Sequence, residues 1–271
     1  MKKALSLAWA AVCAATLMLP TMASAQGSNP IEFEQPPSKF LAGPRLLLNR
    51  NFHTGGFRTI NDVLCPVFDE GSGWGWGAGL TFEYLAGKTW SIVPALTYES
   101  RPGSFVQRLP DAEVLLPGAT TTVMQTVEAT SEIAYTIASL EVLYKQEFAQ
   151  FGDAVRLSVA AGPSAAVVLS GTRTQYQDLI QPENARFIPT ENGIYENNGR
   201  RQVFMKDEEI TELSGTRFSL KAGLQAELGL FNNAIIMYPG VFFDYGLTHV
   251  TSAEDWNLNS IIFQVDFRRA F

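Results

Sequence analysis

From Phe218 to Leu230, every even position is apolar: Phe218, Leu220, Ala222, Leu224, Ala226, Leu228 and Leu230. The odd positions from Arg217 to Gly229 are Arg, Ser, Lys, Gly, Gln, Glu and Gly. A helix places neighbours of spacing three and four on one face and would mix these two sets. An extended strand separates them cleanly.

The same separation recurs. In "GWGWGAGLTFEY" Trp74, Trp76, Leu80, Phe82 and Tyr84 alternate with Gly75, Gly77, Gly79, Thr81 and Glu83. "WSIVPALTYESR", "ASLEVLYKQEF", "VRLSVAAGPSAAVVL" and "IIMYPGVFFDYGL" repeat the pattern, "GPRLLLNRN" carries a weaker version, and "SIIFQVDFRRAF" ends the chain. That makes eight strands. Pro94, Pro163 and Pro239 fall inside three of them, and proline in a strand predicts a local bulge. The links alternate between tight turns ("AGK", "QFGDA", "NN") and long polar stretches over 52–73, 101–131 and 171–215, with a shorter last one, "HVTSAEDW". Short turns on one side and long loops on the other predict an all-β, eight-stranded antiparallel transmembrane barrel of the outer-membrane kind.

A soluble barrel also alternates, with its apolar face inward. Here the polar face is mostly Gly, Ser, Ala and Thr, which suits a narrow interior better than a wetted surface. Its charges are of both signs: Arg45, Glu83, Glu99, Arg101, Glu141, Lys145, Arg156, Arg217, Lys221, Glu227, Asp244, Asp266 and Arg268. A closed lumen can pair them, and unpaired they would be costly to bury. These residues are the expected interior charge network. Aromatics cluster at strand ends and predict two interfacial girdles. One holds Trp90, Phe148, Phe151, Phe231 and Phe271; the other holds Trp74, Trp76, Tyr98, Tyr245 and Trp256.

The N-terminus agrees. Residues 1–25 carry Lys2 and Lys3, a short apolar run broken by Pro20, and a small-x-small site at Ala23 and Ala25. This reads as a secretory signal peptide cut before Gln26, rather than a membrane anchor. Residues 26–40 are Pro-rich and polar and read as a periplasmic lead-in; the barrel is expected over 41–271. Without Lys2 and Lys3 the chain holds 18 basic against 27 acidic residues, a formal charge of −9. That argues against nucleic acid as a partner. Cys65 remains alone after cleavage, so no internal disulfide forms.

"GWGAGLTFEYLAGKTWSIVPALTYESR", "YTIASLEVLYKQEF", "VRLSVAAGPS" and "YPGVFFDYGLTHV" resemble the small outer-membrane β-barrel domain family that includes PorT-like proteins, over roughly residues 40–271. The resemblance implies an eight-stranded barrel of a Gram-negative outer membrane, and PorT itself is tied to a secretion machinery. The last strand carries Phe263, Val265 and Phe267 and stops at Phe271, and it looks like the signal read by the barrel-assembly machinery.

Catalytic candidates are few. His249, Ser252 and Asp255 lie together near the end of the seventh segment, and "KDEEI" gathers Asp207, Glu208 and Glu209. Neither matches a catalytic or metal-ligand motif. The expectation is therefore a monomer without cofactor, metal or catalytic residues. Its partners are outer-membrane lipid and lipopolysaccharide, the assembly machinery and envelope proteins. It would act through its loops, with a narrow channel or a lipid-modifying enzyme as the alternatives.

Overall fold

The computed structural model describes residues 39–58, 67–115, 120–151, 155–187, 199, 201–210, 212–230, 235–252 and 254–271. The signal segment with Ala23 and Ala25, the lead-in as far as residue 38, Cys65 and Phe231 lie outside them.

Among the described residues eleven strands form: β1 (Phe40–Arg58), β2 (Val67–Tyr84), β3 (Trp90–Ser100), β4 (Gly103–Arg108), β5 (Ala112–Leu115), β6 (Thr122–Phe151), β7 (Val155–Gln181), β8 (Gln202–Glu209), β9 (Thr216–Leu230), β10 (Ile235–Gly246) and β11 (Asn257–Ala270). All pairings are antiparallel. The ring runs β1–β2–β3–β6–β7–β9–β10–β11 and closes where β11 returns to β1, with Arg45 opposite Asp266 and Leu48 opposite Phe263. β4 continues the path of β3 after a break at Arg101–Pro102, so eight strands close the barrel.

The burial pattern is inverted relative to a soluble barrel. Charged Arg45, Glu83, Asp266 and Arg268 are at most 1% exposed, whereas Leu224, Leu96 and Leu140 are 61%, 56% and 55% exposed. Along each ring strand the two sets alternate as the pleat requires. A cation forced into the outward row meets no partner there. Leu224→Arg near mid-strand is expected to cost about 2–4 kcal/mol of barrel stability, read as a lowered midpoint in denaturant refolding into lipid.

Four expectations need correction. The long polar stretches are largely sheet. β1, β2, β6 and β7 run on into 52–58, 67–73, 122–131 and 171–181, and β4, β5 and β8 fill much of the rest. Hydrophobic contrast fades there because the outer face meets water, yet the ladder does not need that contrast to continue.

The prolines do not sit in bulges. Register shifts fall elsewhere, for example between Thr54 and Phe57 and between Thr136 and Ile137. Pro94, Pro163 and Pro239 keep register on both sides, and so does Pro44. Each interrupts its ladder on one side only, toward β2, β6, β9 and β11 respectively. A proline lacks only the amide that would have pointed that way.

Trp256 is 2% exposed and belongs to the interior, not to the outer girdle. The last strand starts one residue after it, and its indole turns inward to a histidine. Trp74, Trp76, Tyr98 and Tyr245 face outward at one end, and Trp90, Phe148, Phe151 and Phe271 do so at the other.

The lumen is also less polar than its sequence face suggested. Leu47, Val93, Leu143, Ala160, Phe242 and Ile262 pack as one internal cluster, and a second forms around Phe68, Phe105, Ile133, Tyr135 and Leu258. A narrow barrel must be filled to crystal-like density, and ion pairs alone do not fill it.

Candidate functional site

The ring strands bring most of the interior charges into two connected groups. Near the short-turn end, the Arg45 guanidinium spans the lumen. Its Nε donates to Asp266 Oδ1 at 2.7 Å, its Nη2 to Asp266 Oδ2 at 2.9 Å, and its Nη1 pairs with Glu141. Lys221 Nζ holds the other oxygen of Glu141 at 2.8 Å and donates to Gln264 Oε1 at 2.9 Å. Arg268 bridges Asp266 and Glu83 and lies over the ring of Tyr238, 4.2 Å from its centroid. Lys145 Nζ then pairs with Glu83 at 2.5 Å and reaches Glu227 at 3.7 Å.

Arg156 departs from the enclosed set. Its side chain is 46% exposed and meets Glu227 at 3.2 Å. β7 begins at Val155, so position 156 stands at the mouth of the barrel rather than within it.

The second group lies toward the long-loop end. Arg101 donates to Asp244 Oδ2 at 2.6 Å, to Glu99 Oε2 at 2.8 Å and to Ser260 Oγ at 2.9 Å. Arg217 donates to the same Asp244 oxygen at 3.0 Å and to the Leu258 carbonyl at 3.0 Å. Thr97 and Ser139 hydroxyls donate to Glu99 at 2.8 and 2.9 Å. Each of these carboxylates is thus held by at least one guanidinium or ammonium, and Glu99 by two hydroxyls as well, while Asp244 Oδ1 has no partner among the described residues. This is the arrangement that offsets the desolvation cost of buried ions.

Above this group the lumen is capped by rings. His53 Nε2 donates to the Pro102 carbonyl at 3.3 Å, and its Nδ1 accepts the Trp256 indole N–H at 3.1 Å. Those two bonds fix the neutral tautomer with its proton on Nε2. Phe105 packs edge-on against both rings, at 5.4 Å from His53 and 6.1 Å from Trp256. His53 falls within the stretch 52–73, which its polarity marks as a long loop. Period two continued from Asn49 through Asn51 to His53 would have pointed it inward.

The other sequence candidates separate. His249 Nε2 lies 3.3 Å from Asp255 Oδ1, both well exposed, but the Ser252 hydroxyl donates to the Glu212 carbonyl at 3.3 Å. The three do not form a nucleophile–base–orienter relay. "KDEEI" falls on β8 and on Ile210, which is buried. On β11, Phe263, Val265 and Phe267 lie along the outward side, and Phe271, just past its end, is exposed with its ring 6.2 Å from Phe40.

A closed ring with paired charges inside and a belt of exposed Leu, Val, Phe and Trp outside is at home only where hydrocarbon surrounds it. The chain is an outer-membrane β-barrel. The side with short turns is the periplasmic one, and the extended hairpins face out of the cell.

No protein-family model matches the sequence, and no curated protein matches it. Similar folds occur among solved outer-membrane barrels at low identity. Neisserial surface protein A is 11% identical, with 88% of this chain and 100% of that chain covered and a TM-score of 0.43. OprG from Pseudomonas aeruginosa is 9% identical, covered at 87% and 97%, with a TM-score of 0.39. Ail of Yersinia pestis is 7% identical, covered at 85% and 99%, with a TM-score of 0.28.

Proposed function

We propose that the protein is a non-conducting, non-enzymatic barrel of the cell envelope that works by contact, through the sheet its hairpins build outside the membrane. The filled lumen carries this reading. Two ion-paired groups, an apolar layer and the His53–Phe105–Trp256 cap occupy the interior from one end to the other. Solute passage would require buried ion pairs to part, which is costly.

What remains available is the outside. A membrane strand needs about 9–11 residues, while β6 has 30 and β7 has 27. Their outer portions, with β4 and β8, present a face of cross-strand rows. Val106, Thr130, Tyr176 and Phe204 form one row, and the rings of Tyr176 and Phe204 stand 5.8 Å apart. In the next row Glu128 lies directly opposite Asp178, with no ion pair to either among the described residues. Like charges facing each other across a ladder are unfavourable until something cationic covers them. Arg108 of β4 stands opposite Glu128 but is engaged with Asp111 at 3.1 Å, and the Thr126 hydroxyl and Arg108 hold that carboxyl below the usual carboxylate range. The face therefore suits a basic segment of an envelope or extracellular protein. A place beside a secretion machinery, which the PorT-like resemblance implies, would use the same surface.

The test has two arms. In planar bilayers the purified protein should give no discrete openings; stable conductance steps would return the channel reading. An oligolysine peptide should bind with salt-sensitive affinity, heparin should not, and Glu128→Gln with Asp178→Asn should weaken peptide binding several-fold. Equal binding by the double variant would remove this face from the proposal.

A further inference from the structure

The lipid belt has a concave place. A groove of about 800 Å³ crosses the outer wall from β1 to β7. Its floor is the Pro239 ring and the Gly240 backbone of β10 and the single methyl of Ala226 on β9. Exposed Leu48, Leu224 and Phe263 rise on its sides. The groove follows a ladder row: Val265 faces Pro239 across β11–β10, and Ala226 faces Leu157 across β9–β7. It reaches Phe148, three residues from the end of β6 and so close to the periplasmic girdle.

A charge stands on β11, the strand that carries Val265 of the groove, at its periplasmic end. Arg269 lies on the outward side of β11 with Phe263, Val265 and Phe267, and it is exposed. Four residues separate it from Val265, about 13 Å along a strand. Arg50, the other cation on a lipid-facing row, lies over the Trp74 ring and donates to Ser72 Oγ at 2.7 Å near the opposite girdle, whereas Arg269 has no ion pair among the described residues. A cation at the periplasmic interface has its natural counter-charge in a lipid phosphate, which a guanidinium can bind through two hydrogen bonds. The groove is continuous with the lipid-facing wall and so opens to hydrocarbon.

We propose that this groove and Arg269 form a site for one phospholipid of the periplasmic leaflet. An acyl chain lies over Pro239, Gly240 and Ala226, and the phosphate pairs with the Arg269 guanidinium. The site is distinct from the extracellular contact face, so either can fail without the other.

The experiment is a lipid count. The full-length protein is purified from membranes, exchanged exhaustively into fresh detergent, and assayed for phospholipid phosphorus and fatty acids per chain. The wild type should retain phospholipid near stoichiometry. Ala226→Phe, which fills the floor, and Arg269→Gln, which removes the charge, should each reduce retention several-fold. Both variants add or keep bulk on the lipid-facing side, so the faster migration of the unboiled folded form should persist and serve as the folding control. Loss of phosphorus from the wild type on exchange, or retention unchanged by either substitution, overturns the proposal. Recovery of 3-hydroxyacyl chains in place of ordinary ones overturns it too, since the occupant would then be the outer-leaflet glycolipid.

Discussion

Gly43→Val yields a chain that reaches the membrane and does not close. Gly43 lies in β1 at the seam with β11, and a Cβ there would fall within the van der Waals shell of the Phe267 carbonyl oxygen. The clash is with backbone, which cannot rotate away. To admit a side chain, β1 and β11 must part at the place where the ladder is already interrupted at Pro44. An open barrel exposes two strand edges to hydrocarbon, where each unsatisfied backbone group costs several kcal/mol. The expected result is loss of the fast-migrating unboiled band and degradation of the protein in cells. Gly56→Val is the control, because the Cβ at that position meets only a Val67 methyl at 3.6 Å. Closure of the Gly43 variant with native heat resistance would mean that the seam is looser than its geometry.

The second large effect is Arg45→Met. Arg45 is fully buried and joins two carboxylates, Glu141 of β6 and Asp266 of β11, across the lumen. Removing it leaves Glu141 with Lys221 alone and Asp266 with Arg268 alone, and strips donors from oxygens that remain buried. Breaking a buried network of this kind costs about 3–5 kcal/mol. The temperature at which the folded band converts to the unfolded one should drop sharply. Removing the partners as well should recover much of the loss, because a buried ion cluster replaced by apolar groups of similar size is often neutral. The triple variant Arg45→Met, Glu141→Leu, Asp266→Leu is therefore expected to be more stable than Arg45→Met. If the triple variant is the less stable, the network contributes more than mutual neutralisation.

How much of this was legible beforehand depended on where the solvent changes. Within the lipid belt, hydrocarbon forces period two, and residues such as Leu220, Lys221, Ala222 and Leu224 announce strand, register and face together. Beyond the belt both faces can be polar, so Thr130, Ser131 and Glu132 carry no such signature although they continue the same ladder. The interior charges could be named as a set, but which guanidinium meets which carboxylate depends on strand stagger around the ring. Arg45 and Glu141 lie on β1 and β6, ring strands that are not neighbours, and no spacing in the chain relates them. Trp256 was misread for a similar reason: an aromatic at a strand end serves equally well as a girdle residue or a cap.

The four prolines bear on how the ring is partitioned. Pro44, Pro94, Pro163 and Pro239 occupy every second strand of the circle, and each loosens the ladder toward the preceding strand. The strands therefore fall into four pairs, each joined outside the cell, with a softened border between one pair and the next. Three of those borders are crossed by a periplasmic turn; the fourth is the seam of β1 with β11, where the Phe271 amide donates to the Phe40 carbonyl at 3.2 Å. That seam is thus equivalent to the three other borders. A circular permutant that joins residue 271 to residue 39 with a short turn and opens the chain between Tyr84 and Trp90 would keep every ladder and every softened border, and differ only in which pair is made first.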